Sequence, residues 1–166
     1  MTFEELCLDL DGVFADFYGR ASELLGCDYK STRPADAWAI LDKVPHLFRE
    51  LPMLEDGRRL WEGLQEFSMP KRVLTAKPLP TGLLSTVEDD KRAWAAQHLS
   101  PTLPVTIVDA GVHKARFANP RRVLIDDLSR NIAAWTAAGG IGILHRSAER
   151  TLTELRAVVF DLETQP

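Results

Sequence analysis

Five short apolar runs, each closing on a polar or acidic residue and separated by longer stretches of helical spacing, limit the fold more than any other feature. They fall at residues 5–10, 72–75, 105–108, 121–125 and 141–144. Runs of this length fill a strand but are too short for a helix, and their near-continuous apolar character marks strands covered on both faces. Strands alternating with helices predict an α/β fold: a three-layer, Rossmann-like parallel sheet of about five strands with helices on each side.

The intervening segments supply those helices. One opens at Thr81, between Pro80 and Gly82, and carries Val87, Lys91, Trp94 and His98 at spacings of three and four, which is one helix face. Residues 129–138 and 147–163 read as two more, the first stopped by the pair Gly139 and Gly140. The interval 15–71 differs. It is helical in pattern, is broken by Pro34, Pro45, Pro52 and Pro70, and holds Tyr18, Trp38 and Trp61. It reads as a small helical cap inserted after the first strand, leaving a core of residues 1–14 and 72–166 within one 166-residue domain.

Composition narrows the partners. A net charge of −4 argues against a nucleic-acid polymer, whose binding needs a basic face that releases counterions. The first ten residues carry Glu4, Glu5 and Asp9 rather than a basic region and an apolar run, and nothing reaches membrane-spanning length, so no membrane partner is expected. Cys7 and Cys27 have no CxxC spacing and read as reduced thiols of a cytoplasmic protein, and the four histidines lack metal-ligand spacing.

The chemistry gathers at strand ends. Side chains alternate along a strand, so in Asp9-Leu10-Asp11-Gly12 the two carboxylates are expected to point one way and Leu10 into the core. Gly12 permits a tight turn where open α/β sheets form ligand crevices. A second pair, Asp126 and Asp127, follows Val123-Leu124-Ile125. Four acids brought together repel, and a hard divalent cation bound through oxygen relieves this most simply, which points to magnesium. Thr75 offers a hydroxyl at the end of another strand and Lys114 an ammonium, completing a cradle for a phosphate. In such a site one carboxylate attacks phosphorus while its neighbour protonates the leaving oxygen.

Plainer readings stand beside these. Asp127 suits the N-terminus of the helix near Ser129, and Lys77 or Lys91 is an alternative to Lys114, with Lys91 otherwise a snorkelling stem. Phe17, Trp38 and Trp61 fit a cap core as well as a ligand platform.

The order Asp-x-Asp-Gly, strand-end Thr75, Lys114 and Asp126-Asp127 resembles the haloacid dehalogenase (HAD) superfamily. Within it, the phrase Leu8-Asp-Leu-Asp-Gly-Val-Phe-Ala-Asp-Phe17 looks like the opening of the 5'(3')-deoxyribonucleotidases. Residues 54–57, Lys91-Arg-Ala-Trp94 with His98-Leu99, and His113-Lys-Ala-Arg116 are also similar to that family. The resemblance implies Asp9 as nucleophile and Asp11 as general acid and then base. It implies magnesium held by Asp9, the Asp11 main-chain carbonyl and Asp126, phosphate held by Thr75 and Lys114, and a nucleobase slot formed by Phe17 and Trp38. It implies a (deoxy)nucleoside monophosphate substrate and a homodimer. The sequence departs from the family at Ala76, where many members carry a second hydroxyl, and in its shorter cap.

Three other functions use the same residues. A phosphatase for another small phosphomonoester needs only a different cap, and a silent relative binds nucleotide without hydrolysis. A receiver domain also groups acids, a hydroxyl and a lysine, but places its adjacent acids after the first strand, whereas here Asp-x-Asp comes first.

Overall fold

The computed structural model describes residues 3–78 and 84–164. Five parallel strands form one sheet in the order β3-β2-β1-β4-β5: β1 (Glu5–Leu8), β2 (Lys71–Ala76), β3 (Val105–Val108), β4 (Arg122–Asp126) and β5 (Ile141–Leu144). The chain builds outward from β1 through β2 to β3, then returns to the other flank of β1 for β4. That reversal opens a crevice at the carboxyl ends of β1 and β4, where ligands bind in sheets of this kind.

Alternation along the strands divides the core between two faces. Leu6, Leu8, Val73, Val123, Ile125 and Ile143 share one cluster with residues of α3 (Glu55–Leu64), α4 (Val87–His98) and α6 (Ala148–Thr164). Cys7, Leu74, Val108 and Leu124 pack with Trp135 of α5 (Ser129–Ala137) on the other. Burial there pushes the Cys7 thiol up to about 12, so it is chemically inert near neutral pH. The helix expected from Thr81 is found from Val87, and its anticipated start at Pro80, Thr81 and Gly82 lies outside the described residues.

β1 ends at Leu8, two residues before its apolar run does. The carbonyl of Leu10 turns to accept from the N–H groups of Val13, Phe14 and Ala15 at 3.2, 2.9 and 2.9 Å. Gly12 makes this turn with φ of 80°, and a Cβ there would lie 2.4 Å from Asp127 Oδ2. Only glycine satisfies both the dihedral and the space.

The insertion leaves and rejoins the core at one stem. Asp16 N–H donates to Pro52 O and Leu54 N–H to Phe14 O, both at 2.8 Å, and Ala15 bridges Met53. Between the two sides of this stem lie α1 (Phe17–Leu25), a 3-10 turn (Tyr29–Ser31) and α2 (Pro34–Leu41). α3 follows the stem and packs on α6 with Leu60 and Leu64 buried. Of the interval 15–71 expected as the cap, α3 therefore belongs to the layer covering the sheet. Its polar periodicity resembles that of a cap helix because its outer face is solvated.

Candidate active site

Asp9, the first residue beyond β1, keeps the sheet register: its N–H donates to Ile125 O at 3.0 Å, which sets it beside Asp126 at the end of β4. Lys114, on the 3-10 segment Gly111–Phe117, reaches between the two, with Nζ 2.8 Å from Asp9 Oδ2 and 2.6 Å from Asp126 Oδ2. Lys114 is 1% exposed and Asp126 fully buried, so this ion pair is removed from water. Burial works against the Lys114 charge, yet the two carboxylates outweigh it and hold the ammonium above its usual value.

Asp126 is held from every side. Oδ1 accepts from Leu128 N–H at 2.9 Å and from Asn131 Nδ2 at 3.0 Å, and Oδ2 accepts from Lys114 and Asn131. Burial first and the Asp9 charge second raise its carboxyl to about 6. Asp127, next along the chain, is pushed up to about 7 by burial and then by Asp9 and Asp126, and its buried Oδ1 has no hydrogen-bond partner among the described residues.

Asp11 takes a different direction. Because the strand has already ended, alternation no longer governs its side chain, which turns to Lys91 of α4 instead of joining Asp9. Lys91 Nζ lies 2.5 Å from Asp11 Oδ2, 3.1 Å from Thr75 Oγ1 and 2.8 Å from Ala76 O. Burial foremost, and the Asp9 charge with it, raise the Asp11 carboxyl against the pull of Lys91. At 1% exposure Lys91 is buried along its whole length and is not a snorkelling stem.

The oxygen donors suit a hard divalent cation. Asp9, Asp126 and Asp127 each bring a carboxylate oxygen within 4.8 Å of the other two. Four carboxylates here face two lysines, a deficit of two positive charges that one dication would make good, and the orphaned Asp127 Oδ1 is a free ligand atom. The resemblance implied Asp9, the Asp11 main-chain carbonyl and Asp126; to these the structure adds the Asp127 carboxylate, which lies in the same cluster as Asp9 and Asp126.

Asp9, Asp11, Thr75 and Lys114 line a cavity of about 530 Å³, with Asp126 and Lys91 bonded directly behind them. Its walls include Phe17, Tyr18, Tyr29, Trp38 and Phe48 from the insertion, with Lys77 and Arg130 also lining it. Phe17 and Trp38 both line the cavity as expected residues of the base slot, but they pack on one another. Their rings are nearly parallel, 15° apart, with centroids separated by 6.0 Å, and Phe48 lies parallel to Phe17 at 5.7 Å. A third ring held between two others needs about 7 Å from plane to plane. Trp38 Nε1 is buried without a hydrogen-bond partner in good geometry, although the Tyr29 hydroxyl is near it.

Sequence reasoning brought Asp9, Asp11, Thr75, Lys114 and Asp126 to one place. It counted Asp127 among the four gathered acids, with a helix cap as the plainer reading, but named only Asp126 of that pair as a metal ligand, and it did not select Asn131, Tyr29 or Phe48. The signal for Lys91 was a lysine on the apolar stripe of a helix. Asn131 carried a similar signal, a polar residue on the inner side of the first turn of α5, where Trp135 one turn later is core.

No family model and no curated protein matches the chain. Solved structures do. The chain is similar to a HAD-superfamily hydrolase from Ehrlichia chaffeensis, with TM-score 0.57, 11% identity, and 99% of this chain and 100% of that one covered. It is similar to the D,D-heptose 1,7-bisphosphate phosphatase of Burkholderia thailandensis, at TM-score 0.56, 12% identity and coverage of 93% and 99%. A HAD family hydrolase from Deinococcus radiodurans, solved with bound phosphate and sodium, matches at TM-score 0.51, 17% identity and coverage of 97% and 96%. At these identities the likeness establishes the fold: the chain has the three-layer architecture of HAD-superfamily hydrolases.

Proposed function

We propose that this protein is a magnesium-dependent phosphomonoesterase of the 5'(3')-deoxyribonucleotidase type, releasing phosphate from (deoxy)nucleoside monophosphates through an aspartyl-phosphate intermediate. The observation that carries the reading is the pairing of two ion clusters, Asp9–Lys114–Asp126 and Asp11–Lys91–Thr75, which bring Asp9, Asp11, Thr75 and Lys114 to the lining of one aromatic-walled cavity. The HAD-fold phosphatases it resembles in architecture favour the same chemistry.

Asp9 attacks phosphorus with a carboxylate oxygen, forming the P–O bond of the acyl phosphate as the bond to the nucleoside oxygen breaks. Asp11 delivers its proton to that oxygen, a role suited to a carboxyl raised by burial. In the second step Asp11 takes a proton from the water that attacks the phosphorus, and Asp9 leaves as a carboxylate. Lys114 faces the nucleophile, and the Thr75 hydroxyl, which accepts from Lys91, has its own proton for a phosphate oxygen, while the three N–H groups of Lys91 hold Asp11, Thr75 and the Ala76 carbonyl in place. Asp9, Asp126 and Asp127 would hold magnesium, which when bound supplies charge stabilisation to the transferring phosphoryl group. The aromatic walls favour a leaving group with a flat, apolar face.

One observation favours a second reading, hydrolysis of another small phosphomonoester: Phe17 and Trp38 contact each other and leave no gap for a base between them. Phosphate release from deoxy- and ribonucleoside 5'- and 3'-monophosphates and from sugar phosphates, with and without magnesium, separates the two. Magnesium-dependent turnover of deoxynucleotides that Asp9→Asn abolishes is the expected result. Turnover confined to sugar phosphates retains the chemistry and replaces the substrate, and no turnover of any ester defeats both.

A further inference from the structure

Asp90 is fully buried in the first turn of α4, one residue before Lys91, and two of its partners come from the inserted segment. Oδ1 accepts from His46 Nδ1 at 2.9 Å and forms an ion pair with Arg49 Nε at 3.3 Å, while Oδ2 accepts from Thr86 Oγ1 at 2.9 Å. A carboxylate only accepts, so His46 carries its proton on Nδ1. One turn further along α4, Trp94 Nε1 donates to Leu51 O at 2.8 Å. Residues 46–51 are therefore strapped to the helix that carries Lys91 at two points.

Between those points the strap presents Phe48. Its ring lies 4.7 Å from Lys91 Nζ and stacks against Phe17, so it covers the Lys91 ammonium and walls the cavity together with Phe17. His46 has φ of 51°, a left-handed conformation that costs a non-glycine residue energy, and its carbonyl accepts from the N–H groups of Arg49 and Glu50 at 2.9 and 3.3 Å. The backbone turn that aims Phe48 is held in a disfavoured conformation, and the side-chain bond to Asp90 offsets that cost.

We infer that Asp90 and His46 are positioning residues: a latch that fixes the strap on α4 and so sets Phe48 as the cavity wall above Lys91. The latch itself stands on this geometry. Its consequence for substrate rests on the function proposed above.

His46→Asn and His46→Ala test it in the full chain. Asparagine tolerates positive φ, and its Nδ2 sits where histidine has Nδ1, so the asparagine variant retains the bond and the alanine variant lacks it. Hydrogen exchange of the Arg49 and Glu50 amides is expected to accelerate about tenfold or more in His46→Ala. It should stay within about threefold of wild type in His46→Asn, with amides of the central strands unchanged in both. The Michaelis constant for a deoxynucleoside monophosphate should rise in His46→Ala and be restored in His46→Asn, while kcat/KM for deoxyribose 5-phosphate, which has no base to meet Phe48, stays constant. Unchanged exchange in His46→Ala overturns the latch, and so does slow protection lost equally in both variants. Accelerated exchange with an unchanged nucleotide KM overturns the positioning role. If wild type hydrolyses neither ester, the proposed function fails while the exchange result still decides the latch.

Discussion

Replacing Asp127 with asparagine should stabilise the metal-free protein while weakening its hold on magnesium. In the folded chain the Asp127 carboxyl is raised from 3.8 to about 7, chiefly by burial and then by the charges of Asp9 and Asp126. The folded state therefore binds this proton more tightly than the unfolded state does. The carboxylate costs stability above pH 7, and the cost is withdrawn as pH falls through 7 toward 3.8. About three pKa units at 1.36 kcal/mol each set a ceiling of about 4 kcal/mol at pH 8, which partial access to water reduces to about 2. Asp127 also accepts a side-chain hydrogen bond from Tyr18, and asparagine keeps the shape and an oxygen to accept it but carries no charge. For a chain of this size the gain corresponds to a melting temperature higher by about 4–8 °C at pH 8 in chelator. Scanning calorimetry at pH 8 and pH 5.5 measures it: the advantage should shrink at the lower pH, and saturating magnesium at pH 8 should reverse it. An Asp127→Asn protein no more stable than wild type at pH 8 without metal would refute the electrostatic account of this cluster.

Further outcomes follow from the same geometry. Lys91→Met strands the partly buried Asp11 carboxylate, the Thr75 hydroxyl and the Ala76 carbonyl, and should lower turnover about 100-fold or more, with a loss of about 2–3 kcal/mol in chemical denaturation. Magnesium affinity should fall about a hundredfold between pH 8 and pH 5.5, about thirtyfold from protons returning to Asp127 near 7 and about fourfold from Asp126 near 6, and calorimetric titration at the two pH values checks this.

Much of the molecule was legible because strands and their ends obey simple rules. Each of the five apolar runs became a strand of the one parallel sheet, and the acids at the ends of β1 and β4 met because those strands are hydrogen-bonded neighbours. Asp11 was misdirected by the same rule that located Asp9: alternation holds only while the strand continues, and the Leu10 carbonyl ended it first. Lys91 was ambiguous since one helix face can bury a lysine either along an apolar surface or into a charged site. The contact between Phe17 and Trp38 depends on how α1 and α2 pack, which spacing along the chain does not encode. The position of α3 against α6 escaped notice for the same reason.

The stem at Phe14, Asp16, Pro52 and Leu54 makes the lid-forming detour a closed loop as far as the sheet is concerned. Both ends are tied within a few ångströms, so the sheet does not sense how long the excursion is. Doubling the length of such a loop adds only about 0.6 kcal/mol of closure entropy. Under the function proposed here, the aromatic compartment could thus be resized almost independently of the charged groups beneath it, and one set of aspartates and lysines would serve many phosphate esters.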